Sequence, residues 1–306
     1  MIKQHRSCFV SRKGYISYIA AAAVLITGIV FGSIFDLHIA GIMYSGHPLW
    51  AVIFTFVELY IFDGAFVLLF GVLCGQLRGR AQKTSSRNII LAIFICLALS
   101  TAVCGAIGLW SDSVLGLYVS EGMKGFLPSL VTGIIIFFPL FLLGMAFNGK
   151  RYDKDICCRL IILTTVLSVA FFTSIIVKTC VMRPRFRITL EGYEGIGFVP
   201  VFTAFANGKE LMTKHALASD DLASFFSGHA MDSVLNVIIF PAFAMFIGKF
   251  EGKETHLTVA AILFCIPVLL SRMILGDHYL SDIMFGSLVG LMFCFIYAQL
   301  ASTRRK

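Results

Sequence analysis

The side chains best suited to chemistry fall in three short stretches: Lys178 with Arg183 and Arg185, then Ser227-Gly228-His229, then Ser271-Arg272 with His278 and Asp282. Lys178, Arg185 and Arg272 offer the charge and the planar forks that bind phosphate oxygens and neutralise charge developing in phosphoryl transfer. Ser227 and Gly228 come just before an apolar run, so their N–H groups and the Ser227 hydroxyl can hold a phosphate oxygen where a helix begins. His278 and Asp282 have the separation that brings two side chains together on one helical face. The carboxylate would then hold one ring nitrogen protonated and leave the other as a nucleophile for phosphorus. His229 is left as general acid for the leaving group and as base for the attacking water. Arg183 is expected to supplement the phosphate site, and Arg187 to be a rim charge.

Other chemistries lack their residues. There is no carboxylate cluster for a metal, no Gly-x-Ser-x-Gly elbow and no Walker loop, so neither metal nor cofactor is expected. A second Ser-Gly-His, at Ser45-Gly46-His47, is followed by proline and has no partner stretch nearby, so it reads as a plain turn. Glu58, Asp63 and Asp232 lie inside apolar runs, where an acid either serves function or bonds neighbouring helices.

The elements that must position these residues are membrane helices. A chain of 306 residues that is 58% hydrophobic and 14% charged, with mean hydropathy +0.89, cannot hide its apolar surface in a soluble core. Spans of about 20 apolar residues are expected at roughly 14–35, 53–77, 88–110, 125–147, 157–180, 229–249, 257–275 and 280–300. Basic residues mark the cytoplasmic connections: Lys3, Arg6, Arg12 and Lys13; Arg78, Arg80, Lys83 and Arg87; Lys150, Arg151 and Lys154; Lys249 and Lys253; Arg304, Arg305 and Lys306. The connection from Asp36 to His47 has no lysine or arginine, and the third has only Lys124. Both termini are therefore expected in the cytoplasm, and all three reactive stretches at the outer face. The Phe35–Met43 segment is expected along the outer interface, and the long connection 183–227, with its acidic pair Asp220-Asp221, as an ordered loop over the site.

The net charge of +8 follows largely from this topology, so nucleic-acid binding is a poor reading. The nine cysteines are an odd number and most lie in apolar runs, which is no disulfide framework. One membrane domain over 1–306 is expected, with the reactive stretches inside 171–300.

These residues resemble the signatures of the type 2 phosphatidic acid phosphatase superfamily, K-x6-R-P, P-S-G-H and S-R-x5-H-x3-D. The third is complete, from Ser271-Arg272 through His278 to Asp282. The second has Phe226 in place of proline, and the first has Phe186 after Arg185; both departures spare the functional side chains. The resemblance implies a phosphohistidine at His278, acid–base work by His229, phosphate binding by Lys178, Arg185, Arg272, Ser227 and Gly228, and no metal. It also implies an all-α polytopic bundle with a six-helix core, to which this chain adds two N-terminal spans. The expected activity is hydrolysis of a lipid phosphate or diphosphate, such as phosphatidate, phosphatidylglycerophosphate or, if the source is bacterial, undecaprenyl diphosphate in the plasma membrane. A lipid phosphate or headgroup transferase, or a non-enzymatic lipid transporter, are the alternatives. Partners would be the lipid substrate and the bilayer, and a homodimer is compatible with the sequence.

Overall fold

The structure is a computed structural model that describes residues 12–79, 85–112, 115, 125–147 and 153–303. Lys3, Arg6, Arg80, Lys83, Lys124, Lys150, Arg151 and Arg304 to Lys306 of the charge pattern lie outside them. Among the described residues the chain forms helices α1 (Arg12–Met43), α2 (Leu49–Arg78), α3 (Ser85–Ser111), α4 (Phe126–Ile136), α5 (Phe138–Phe147) and α6 (Lys154–Val181). The short α7 (Phe186–Thr189) and α8 (Gly208–Lys214) follow, then α9 (Gly228–Ala242), α10 (Glu254–Ile274) and α11 (Leu280–Thr303), with no strand. Eight segments are long and apolar enough to cross a membrane, in the order expected. In hydrocarbon, backbone groups must bond within their own segment, which is why apolar runs of this length become helices. The fourth span is broken into α4 and α5 at Phe137, because Pro139 has no N–H to give to the turn before it.

The expectation for Phe35–Met43 needs correction. These residues continue α1 instead of lying along an interface. Gly41 disfavours helix most there, at a cost of about 1 kcal/mol. Leu37 and Ile42 face outward while Asp36 is buried. Ser45-Gly46-His47 lies in the turn between α1 and α2, as expected.

Packing divides the chain into two compact units, with the boundaries inside helices. One comprises Phe56–Thr165 and Asn236–Ala260. In it α2 and α5 touch backbone to backbone: a Cβ on Gly144 would lie 2.3 Å from the Leu68 carbonyl oxygen. The other comprises Met1–Thr55, Val166–Leu235 and Ala261–Lys306 and holds all three reactive stretches. There α1 runs antiparallel to α11: Tyr15 and Tyr18 pack on Phe295, and Gly28 meets Met284.

The start of α9 is pressed against α11 through a small-xxx-small stripe, the device by which membrane helices approach closely. A Cβ on Gly286 would meet the Ser227 oxygen at 2.3 Å, and one on Gly290 the Met231 oxygen at 2.7 Å. Gly286→Val should therefore force α9 away from α11. The expected outcome in thermal unfolding of the detergent-solubilised protein is a lower midpoint, from a cost of roughly 1–3 kcal/mol; an unchanged midpoint would contradict this contact.

Candidate active site

Helix α10 ends in a turn that only glycine makes without strain. Gly276 has φ of 70°, and a Cβ there would lie 2.8 Å from the Tyr44 ring. The turn folds the chain back, so that the Asp277 and His278 N–H groups both donate to the Arg272 carbonyl, at 3.1 and 3.2 Å. Helix α11 then starts at Leu280, and the Asp282 carboxylate accepts from the Tyr279 N–H at 3.0 Å. This is the reach of an N3 acid back to the N-cap backbone. The spacing of His278 and Asp282 is thus that of a helix start and its capping acid, not of two neighbours on a helical face.

The expected hydrogen bond between those two is accordingly absent. His278 Nδ1 lies 2.6 Å from the Ser224 carbonyl oxygen. A carbonyl can only accept, so Nδ1 carries the proton and Nε2 carries the lone pair. Nε2 is buried and has no protein partner. Burial first, then Arg185, Arg272 and Lys178, hold the His278 imidazole well below the ordinary histidine value, with Asp277 opposing them. The ring is therefore neutral near pH 7. Asp282 acts on it one step removed, by accepting from Ser224 Oγ at 2.5 Å.

The guanidinium groups of Arg185 and Arg272 are held by one carboxylate, Asp277. It is fully buried and pairs with Arg185 Nη1 at 2.6 Å, Arg187 Nε at 3.0 Å and Arg272 Nη2. Burial works against its charge, yet Arg185, Arg272 and Arg187 hold it well below the usual carboxylate range. Arg187, expected at a rim, is thus part of this cluster, and it also pairs with Asp221 at 2.7 Å. Asp220 takes the other edge of Arg185: its backbone oxygen accepts from Nε at 2.6 Å, and its carboxylate pairs with Nη2.

The second stretch meets the first across a glycine. A Cβ on Gly228 would lie 3.4 Å from Lys178 Nζ, which stands in the last turn of α6. Ser227 is buried and caps α9: its hydroxyl accepts from Ala230 N–H at 3.3 Å, while its own N–H donates to the Asp282 carbonyl at 3.2 Å. That N–H is committed, which narrows the expected phosphate contacts of this stretch. Lys178, Arg185 and Arg272 all act electrostatically on both His229 and His278, so the three stretches form one charged site.

Arg183 departs from expectation. It is fully buried, and four of its five N–H groups are committed: Nε to the Val199 carbonyl at 2.8 Å, Nη1 to Ser281 Oγ at 3.1 Å and Asp282 at 2.5 Å, and Nη2 to Asp36 at 2.9 Å. Its guanidinium also lies 4.2 Å from the centre of the Tyr279 ring. These contacts make it a buried tie between α1 and α11. The N-terminal helices reach the site in two places, since Arg272 Nη1 also donates to Thr55 Oγ1 of α2 at 2.7 Å. Asp36 carried a signal that could have found it, as an acid beside an apolar run. Asp277 stood beside His278, while Thr55 and the Ser224 carbonyl carried no signal at all.

Asp36→Ala would leave a buried guanidinium with one carboxylate in place of two. Breaking a buried pair costs on the order of 3–5 kcal/mol. The expected outcome is a lower unfolding midpoint for Asp36→Ala and a smaller loss for Asp36→Asn, which can still accept from Arg183; a midpoint unmoved in both would remove this role.

Comparison with known proteins finds one match: the sequence model of the PAP2 superfamily aligns with residues 159–306, just under half of the chain. No curated protein and no solved structure matches. The matched segment contains Lys178, Arg185, Ser227 to His229, Arg272, His278 and Asp282. That match and the complete third signature support membership of the PAP2 superfamily, the type 2 phosphatidic acid phosphatases.

Proposed function

We propose that this protein is an integral membrane lipid phosphatase that works through a phosphohistidine on His278. Its superfamily suggests a phosphatase-type lipid phosphate hydrolase, and its eight apolar helices an integral membrane protein. The observation that carries the mechanism is the state of His278: a neutral ring, proton on Nδ1, with an unpartnered Nε2 among Lys178, Arg185 and Arg272. The Nε2 lone pair attacks phosphorus, and the bond from phosphorus to the lipid oxygen breaks. His229 gives its proton to that leaving oxygen. Lys178, Arg185 and Arg272, with Ser227 and Gly228 at the start of α9, hold the non-bridging oxygens and spread the developing charge. In the second step His229 takes a proton from water, the water oxygen bonds to phosphorus, and the P–N bond breaks. Phosphate leaves and the His278 lone pair is restored.

Asp282 is a positioning residue in this scheme, through Ser224 and the start of α11. Among the described residues no group of His, Cys, Asp or Glu is arranged to hold a metal ion, and the scheme needs none. The substrate class is a lipid phosphate monoester or diphosphate, with isoprenoid diphosphates such as undecaprenyl diphosphate included. The basic connections favour cytoplasmic termini and a site on the outer face of the plasma membrane, or its lumenal equivalent.

Purified protein in EDTA is expected to release phosphate from at least one member of a panel of lipid phosphate monoesters and diphosphates. His278→Ala should lower the rate by about 10³-fold or more and abolish an acid-labile phosphoenzyme trapped from labelled substrate. A His278→Ala variant that retains its phosphoenzyme would sink the assignment. The neutral His278 also sets the pH profile. Because its folded value is depressed, the nucleophile stays deprotonated as pH falls through the ordinary histidine range. The acid limb of kcat/KM, corrected for ionisation of the substrate phosphate, should therefore lie below that range; a limb at the ordinary value would contradict the burial and cation argument.

A further inference from the structure

The cations proposed to hold phosphate already have an anion in their midst, and it differs from the one that organises them. Asp277 is fully buried beneath three arginines. Asp220 sits on a single short turn, Ser219–Leu222, of the long loop, and its side chain is 28% exposed. Its backbone oxygen and its Oδ1 together cover Arg185 Nε and Nη2. That edge of a guanidinium is one that two phosphate oxygens meet side by side. Its second oxygen, Oδ2, is buried with no partner. Burial disfavours the charge of Asp220, but Arg185 and Lys178, with help from Arg272, hold it ionised below the ordinary carboxylate value.

We propose that Asp220 is a tethered competitor of the substrate phosphate, occupying the Nε/Nη2 edge of Arg185 until a phosphate displaces it. The proposal rests on reading these cations as the phosphate site. A phosphate dianion cannot share that edge with a carboxylate, since like charges at contact repel strongly. Only Asp220 is free to leave. Its neighbour stays behind as the anchor: the Asp221 carbonyl accepts from the Arg185 N–H at 3.0 Å, and its carboxylate holds Arg187. Clearing that edge moves the Asp220 peptide carbonyl as well as its side chain, so the turn opens at Asp220 while the Asp221 carboxylate keeps the loop on Arg187.

The consequence is selectivity by threshold. A lipid phosphate brings apolar contacts that help to displace Asp220, whereas inorganic phosphate brings none. The product is therefore held weakly, and small soluble phosphate esters compete poorly.

The test uses the full-length protein in detergent micelles, with inorganic phosphate as a competitive inhibitor of lipid phosphate hydrolysis. Asp220→Asn keeps the shape and an acceptor for Arg185 but loses the charge. Its inhibition constant for phosphate should fall on the order of tenfold, as a charge-assisted contact no longer has to be displaced, and its KM should fall with it. An inhibition constant that is unchanged or higher would overturn the proposal. A second measurement needs no variant: saturating phosphate added to the wild type should speed hydrogen exchange at the Asp221 and Ala223 amides, which close this turn onto Ala218 and Asp220. Unchanged exchange with phosphate bound would overturn the proposal even if the variant failed to fold. A wild type that hydrolyses no lipid phosphate would instead remove the reading of the site beneath it.

Discussion

Like charges cannot be gathered in a buried space without a counter-charge, and here the counter-charge is Asp277. Arg185 comes from the connection after α6 and Arg272 from the end of α10, and Arg187 joins them from the first helical turn beyond Arg185. One carboxylate accepts from all three. The pairing does two things. It offsets part of the large desolvation cost of the cations, and it fixes two phosphate-binding candidates at a set distance from each other and from His278, the next residue along. The turn at Gly276 makes this possible by sending Asp277 back over Arg272.

A second buried carboxylate pair serves the backbone around His278. Arg183 joins Asp36 of α1 to Asp282 of α11, and Asp282 also holds the Ser224 hydroxyl and the Tyr279 N–H. Ser224 in turn presents its carbonyl to His278 Nδ1. The tautomer of His278 thus depends on a chain of contacts that begins on the first helix. Asp36, on Arg183, and Thr55, on Arg272, thus bring residues of the helices that the superfamily resemblance treats as additions into contact with the three stretches.

Much of this was legible beforehand. Eight apolar runs of sufficient length identify the helices, since lipid leaves few alternatives for a backbone. The three reactive stretches could be found from residue type and spacing, and their convergence is a matter of helix ends meeting. What the sequence withheld were contacts between residues far apart in the chain, such as Asp36 with Arg183. It also withheld a role taken by backbone, at Ser224, because every residue carries a carbonyl. The separation of His278 and Asp282 misled for a physical reason. Helical spacing implies a shared face only inside a helix, and α11 begins between the two. Arg183 misled likewise, since an arginine beside others can serve structure or ligand equally, and only its partners decide.

The central claim is that His278 Nε2 is the atom that attacks phosphorus. The most direct measurement is a structure of the protein with orthovanadate bound. The account predicts a five-coordinate vanadium bonded to His278 Nε2, with its equatorial oxygens met by Lys178, Arg185 and Arg272 and His229 facing the apical oxygen. Vanadium bonded to His229, or held away from Arg185 and Arg272, would contradict it.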